Sequence, residues 1–356
     1  MTNVLCLAER RKERASTHGV ERLLKLFAQE RHRIDDVRWL KENAELLRLL
    51  VATGRCPDPE LLYAAYGRFL PNLRDRLHFF PQYYRFFLSI ALDLEALGLA
   101  EIGAAKMVEW AVSGHLAGAE LSDLQRAEAR LMAQRVGLEV PEEGLTERLL
   151  RFASRAETFA LPNRKAAYEL THIAFYLSDY GRHGFAGSGG MIESLENAGL
   201  VAHLEGNTDL LAEICIALRQ CGSTPPADWE QAVTRGFAAF RLLGEAEPGQ
   251  VDDYHAWLMA AWSLEASGEK VLEAPLPSAN FHFVPPPGPT TLLEVSAALL
   301  DLGAARSADW PRMRGCLAPR ISGSALAHID RLAASTPQFE SFFARFARVP
   351  QRGGLR

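Results

Sequence analysis

The stretch DVRWLKENAELLRLLVAT, Asp36 to Thr53, decides how the rest of the chain is read. Trp39, Leu40, Leu47, Leu50 and Val51 fall on one broad stripe, and Gly54 follows at once. Apolar residues at intervals of three and four mark the buried face of an amphipathic helix. A glycine just past the end supplies the left-handed residue that a helix stop favours. The same grammar recurs outward from here. Pro81 opens a long helix, because a first-turn N–H has no helical partner to lose. Phe86, Phe87, Ile90, Leu94 and Leu97 form its stripe, and Gly98 ends it. Ala104–Gly118 and Asp123–Gly137 read as an antiparallel pair, with Ser122 as the cap of the second. Beyond Pro141 the periodicity predicts helices over Leu145–Ala160, Asn163–Tyr180, Met191–Asn197, Thr208–Arg219, Asp228–Leu243, Val251–Ser267, Thr291–Leu302 and Ser324–Ala334. Gly54, Gly98, Gly137, Gly199, Gly222, Gly268 and Gly303 read as the stops.

Strand-like alternation is almost absent, so the expected class is all-α: an array of antiparallel helical hairpins, closed as an α/α toroid or open as an α-solenoid. The stops lie about one hairpin apart, but no repeat consensus accompanies them. A turn near residues 138–144 divides residues 1–140 from 141–356, unless the array runs straight through as one domain. Two stretches break the helical pattern. GRHGFAGSGG (Gly181–Gly190) is a glycine-rich loop that lacks the Gly-Lys-Ser/Thr ending of a phosphate loop. SANFHFVPPPGPT (Ser278–Thr290) is extended and proline-rich.

With 48% hydrophobic and 23% charged residues the chain has globular composition. A net charge of −5 argues against a nucleic-acid-binding surface. The cluster Arg10, Arg11, Lys12 and Arg14 is offset by Glu9 and Glu13 and reads as a solvated helix face. No apolar run reaches the ~18–20 residues of a membrane span, and charge arrives too early for a secretory signal. Cys6, Cys56, Cys215, Cys221 and Cys316 form no CxxC pair, the pattern of a reduced cytoplasmic protein.

One constellation could carry chemistry. In YELTHIAFYLSDYG (Tyr168–Gly181), His172, Tyr176 and Asp179 stand at i, i+4 and i+7, stacked on one helical face. Glu169 precedes His172 by three residues, a spacing that can aim two ligands at one ion. Asp252 precedes His255 by the same interval, ahead of the apolar helix Trp257, Leu258, Met259, Ala261 and Trp262. Buried carboxylates are costly unless paired or metal-bound. His172, Asp179 and His255 are therefore candidate ligands, Glu169 and Asp252 supplement them, and Tyr176 is a candidate proton donor. Each position also has an ordinary reading: a hydrogen-bonded core histidine, a helix terminator, an acid at the positive end of a helix dipole. The aromatic run FFPQYYRFF (Phe79–Phe87) reads as core or as the lining of a cavity, with Arg85 in need of a partner.

The blocks Thr171, His172, Phe175, Tyr176, Asp179, Gly181 and, downstream, Tyr254, His255 are similar to a pattern in uncharacterised bacterial helical proteins. That resemblance implies a helical fold and carries no activity with it. The hairpin architecture more distantly resembles α/α-toroid enzymes of the prenyltransferase and lanthionine-cyclase folds, whose zinc–thiolate pattern this chain lacks. Two functions follow. The first is an enzyme acting on a small molecule or peptide through a divalent metal (zinc, iron or manganese), since the donors are imidazole and carboxylate. The second is a helical scaffold binding a protein or peptide, and the aromatic surface leaves a homodimer open.

Overall fold

Asp36 does what its position before the Trp39 stripe requires: its side chain accepts from the Arg38 N–H and caps the helix Val37–Ala52. The computed structural model describes residues 19–100, 102–244 and 251–349. The cluster Arg10, Arg11, Lys12 and Arg14, with Glu9, Glu13 and Cys6, lies outside the described residues. Those described are overwhelmingly helical, and the protein is all-α. None of their helices is long and apolar enough to cross a membrane.

The chain folds as two units, and both are discontinuous. The first holds Met1–Leu145 and Arg241–Val284, the second Thr146–Phe240 and Pro285–Arg356. The first change of unit thus falls at residue 145, and residues 241–284 return to the first unit, which no single cut expresses.

In the first unit the helices are α1 (19–25, continuing as a π-helix over Leu26–Glu30), α2 (Val37–Ala52), α3 (Pro59–Tyr66), α4 (Leu73–Phe79), α5 (Tyr84–Ala96), α6 (Ala104–Ser113), α7 (Asp123–Arg135) and α14 (Tyr254–Ala266). The second unit holds α8 (Leu145–Ala153), α9 (Ala156–Phe159), α10 (Arg164–Leu177), α11 (Gly189–Glu205), α12 (Thr208–Gln220), α13 (Ala227–Ala238), α15 (Thr291–Leu302), α16 (Trp310–Leu317), α17 (Gly323–Ser335) and α18 (Phe339–Phe346). Sequential helices pack on one another, α5 with α6 and α6 with α7, then α10 through α13 in turn. This is the contact pattern of hairpins.

The first core forms where α2 lies on α5. Trp39, Leu47 and Leu50 of the opening stripe are fully buried, each worth roughly 1.5–3 kcal/mol. The Trp39 ring sits 4.7 Å from that of Phe69. Buried Asn43 donates to the Phe27 carbonyl at 2.9 Å and accepts from the Tyr66 hydroxyl at 2.8 Å. In the second unit α11 is the central helix, packed on α9, α12, α15 and α17.

Three expectations change. Gly199 is not a stop. It lies within α11, where a Cβ would meet the Trp229 ring at 2.1 Å, so its hydrogen is needed for packing. The helix runs on to Gly206, which has the left-handed φ of 67°. Leu145–Ala160 is broken into α8 and α9. Residues 241–243 are not helical but form a short strand β1 (Arg241–Leu243), antiparallel to β2 (His282–Val284) within the extended segment, with Leu242 opposite Phe283. Gly54, Gly98, Gly137, Gly222, Gly268 and Gly303 do adopt positive φ.

Candidate active-site helices α10 and α12

Asn163 caps α10 by accepting from the Ala166 N–H, which sets the phase of Tyr168, Thr171 and His172. The helix packs against α12, whose sequence TDLLAE places Asp209 and Glu213 one turn apart. The Tyr168 hydroxyl donates to Asp209 Oδ2 at 2.7 Å, and the Thr171 hydroxyl donates to Glu213 Oε2 at 2.5 Å. Glu213 has no exposed surface. Burial first, then the charges of Asp209 and Glu213, push the Tyr168 phenol up, so it stays a neutral donor.

His172 Nδ1 lies 2.8 Å from the Tyr168 carbonyl and 3.7 Å from Glu213 Oε2. A carbonyl only accepts, so Nδ1 carries the proton and Nε2 keeps its lone pair. The same bond is how protein backbones orient histidines that ligate metals through the other nitrogen. About a third of the His172 side chain is exposed. The Tyr176 ring meets the imidazole edge-on at 5.8 Å.

The other expected ligands are placed differently. Because α10 ends at Leu177, Asp179 leaves the helical register and does not stack on the His172 face. Asp179, Tyr180 and Gly181 are all left-handed, with φ of 48°, 55° and 86°. Buried Asp179 lies 3.8 Å from both Arg182 and His183. Glu169, half-buried on α10, makes no hydrogen bond or ion pair among the described residues. Asp252 and His255 belong to the first unit. There Asp253, not Asp252, caps α14 by accepting from the Ala256 N–H, so the acid-x-x-His interval does not run along a helix. Asp252 instead takes Arg31 Nη2 at 2.7 Å, the Phe283 N–H at 2.9 Å and His282 Nδ1 at 3.3 Å. Burial opposes its charge, but the Phe283 N–H and Arg31 outweigh that and hold the carboxyl below the usual range. His255, on α14, has Nε2 4.0 Å from Glu45 Oε1.

Sequence reading missed Tyr168, Asp209 and Glu213. The signal was present: two acids one turn apart on α12, one just before and one within the otherwise apolar stretch Leu210–Leu218. Other stretches resolve simply. Arg85 pairs with Glu120 at 2.9 Å and with Glu128. Tyr84 and Leu88 line a cavity of about 360 Å³, while Phe79 is exposed. In the glycine-rich loop Ser188 caps α11, and Gly187 allows the backbone against Cys221. Burial pushes the Cys221 thiol up to about 12, in keeping with packing as its role.

Fold and cluster together define the class: an all-α protein whose second unit carries a histidine, two carboxylates and two hydroxyls on adjacent helices. The chain belongs to the family described as a domain of unknown function, DUF6902, whose model matches residues 1–349. No curated protein and no solved structure matches it.

Proposed function

We propose that the protein is a metal-dependent enzyme acting on a small molecule or peptide, its divalent ion held by the carboxylates of Asp209 and Glu213, with His172 beside them as a proton acceptor. The observation that carries this reading is the fully buried Glu213 carboxylate, aimed by Thr171, with an Asp209 oxygen within 4.8 Å of it. A buried carboxylate costs several kcal/mol in lost solvation, which a nearby cation offsets. Oxygen donors from carboxylates, without thiolate, suit manganese, iron or zinc. Tyr168 and Thr171 orient the carboxylates, as hydrogen-bonded neighbours of metal ligands do. When bound, such an ion supplies Lewis-acid activation of a substrate oxygen or of water. Tyr176, half-exposed beside His172, is the proton donor in this reading.

Elemental analysis of the purified full chain tests it. We expect about one equivalent of metal, lost in Asp209→Asn/Glu213→Gln while helical circular dichroism is kept. Metal-free protein whose melting temperature ignores added Zn²⁺, Fe²⁺ and Mn²⁺ would overturn the proposal in favour of a non-enzymatic scaffold.

A further inference from the structure

A second cavity lies wholly within the second unit, bounded by α11, α12, α13, α15, α17 and the segment Pro286–Pro289. Its volume of about 610 Å³ falls in the range of small-molecule sites. The proline segment is a firm wall: a Cβ on Gly206 would meet the Pro289 ring at 1.9 Å, so backbone and ring are in direct contact.

The lining is chemically one-sided. Arg235 and Arg331 face the cavity with the hydroxyl-bearing Thr208, Thr290, Thr291 and Ser324, and no carboxylate is among the lining residues. Neither arginine has an ion pair or hydrogen bond among the described residues. In a chain of net charge −5, a cavity walled by two cations and no acid selects anions.

Three of the lining residues, His203, His328 and Thr291, belong to a chain of four polar groups that ends on Asp228 outside the lining. Asp228 Oδ2 is 3.1 Å from His203 Nε2, His203 Nδ1 is 2.8 Å from His328 Nε2, and His328 Nδ1 is 2.9 Å from Thr291 Oγ1. Both histidines are more than nine-tenths buried. Burial disfavours their charged forms and pushes His328 down to about 4. With neutral rings only one proton order satisfies the chain. His203 donates to the carboxylate, His328 donates to His203, and the Thr291 hydroxyl donates to His328. His328 is faced by His203 from α11, Asp228 and Arg235 from α13 and Thr291 from α15, with Arg331 on its own helix. An arriving anion adds negative charge beside this pair, and a proton taken up at His328 Nδ1 requires only that the Thr291 hydroxyl turn from donor to acceptor.

We propose that this cavity binds the phosphate group of a small phosphomonoester, held by Arg235 and Arg331 over the His203–His328 pair, with proton uptake by that pair. Planar guanidinium groups and hydroxyls are the donors that phosphate oxygens accept best. The site shares no residue with the proposed metal centre, so either can fail alone.

The test uses full-length protein at constant ionic strength, with inorganic phosphate, glycerol 3-phosphate, acetate and chloride as probes. We expect the two phosphates to raise the melting temperature in a saturable way, with acetate and chloride inert. Arg235→Ala/Arg331→Ala, which alters exposed side chains, should weaken phosphate binding at least tenfold. Glycerol 3-phosphate tighter than inorganic phosphate identifies an organic phosphate as the ligand; equal affinities overturn the phosphomonoester in favour of the free ion. Acetate as effective as phosphate, or a double variant that binds as well as the parent, overturns the site. Calorimetry near pH 6 in two buffers of different ionisation enthalpy reads the proton. A buffer-dependent heat is expected, and equal heats overturn the role of the histidines.

Discussion

Arg31 in the first unit and Arg235 with Arg331 in the second put the same side chain to opposite uses. Arg31 is nearly buried and saturated. It reaches Glu42 at 2.6 Å and Asp252 at 2.7 Å, while the rings of Phe27 and Tyr254 each lie 5.1 Å from its guanidinium. His32 Nε2 closes on the same Glu42 at 2.8 Å. Arg235 and Arg331 stand on a cavity wall that contains no acid. A saturated arginine is spent on folding, and one left without a counter-charge is available to a ligand. Position in sequence does not separate the two cases; the company each keeps does.

The contrast predicts graded losses. Arg31→Ala removes the arginine shared by two largely buried carboxylates and should cost about 3 kcal/mol, read as a fall in the urea midpoint at unchanged slope. If it costs under about 1 kcal/mol, the saturation argument is broken. Acidification comes next. His328 is held near 4 against an ordinary 6.5, so the folded state prefers the neutral ring. Its contribution is complete above pH 6.5 and is lost as the pH falls towards 4, by up to about 3 kcal/mol. An NMR titration of its ring should give a midpoint near 4 in the anion-free protein, and a midpoint near 6.5 would refute the buried relay. Asp253→Ala removes the cap of α14 for about 1 kcal/mol. The same change at Glu169, which bonds nothing described, should stay within about 0.5 kcal/mol. Arg235→Ala, without added anion, should be as quiet, and a large loss there would show a structural arginine after all.

How much of this was legible in the chain differs between fold and site. The stripe on α2 and the caps Asp36, Ser122 and Asn163 were readable because helix periodicity and capping are local. Gly199 misled because its reason lies thirty positions away, in the Trp229 ring, which no local signal reveals. The strand at 241–243 failed for the same cause, since its partner is at 282–284. At the site, His172 and Tyr176 were readable as polar groups on an apolar helix, yet the carboxylates beside His172 come from α12. Asp179 and Asp252 were drawn into the candidate set by spacing alone. A helix ending at Leu177 and a cap at Asp253 take both off the helices that the spacing assumed.

The return of residues 241–284 to the first unit has a consequence for synthesis. Phe283, whose ring lies 6.0 Å from Phe27, and Asp252, the partner of Arg31, emerge after the entire stretch 146–240. At a translation rate of roughly 5–20 residues per second, the N-terminal helices wait about 10–50 s for them. The first unit begins folding first and finishes only after most of the second has left the ribosome. During that interval Phe27, Arg31 and Glu42 lack their late partners, which makes this the window in which a chaperone would be needed.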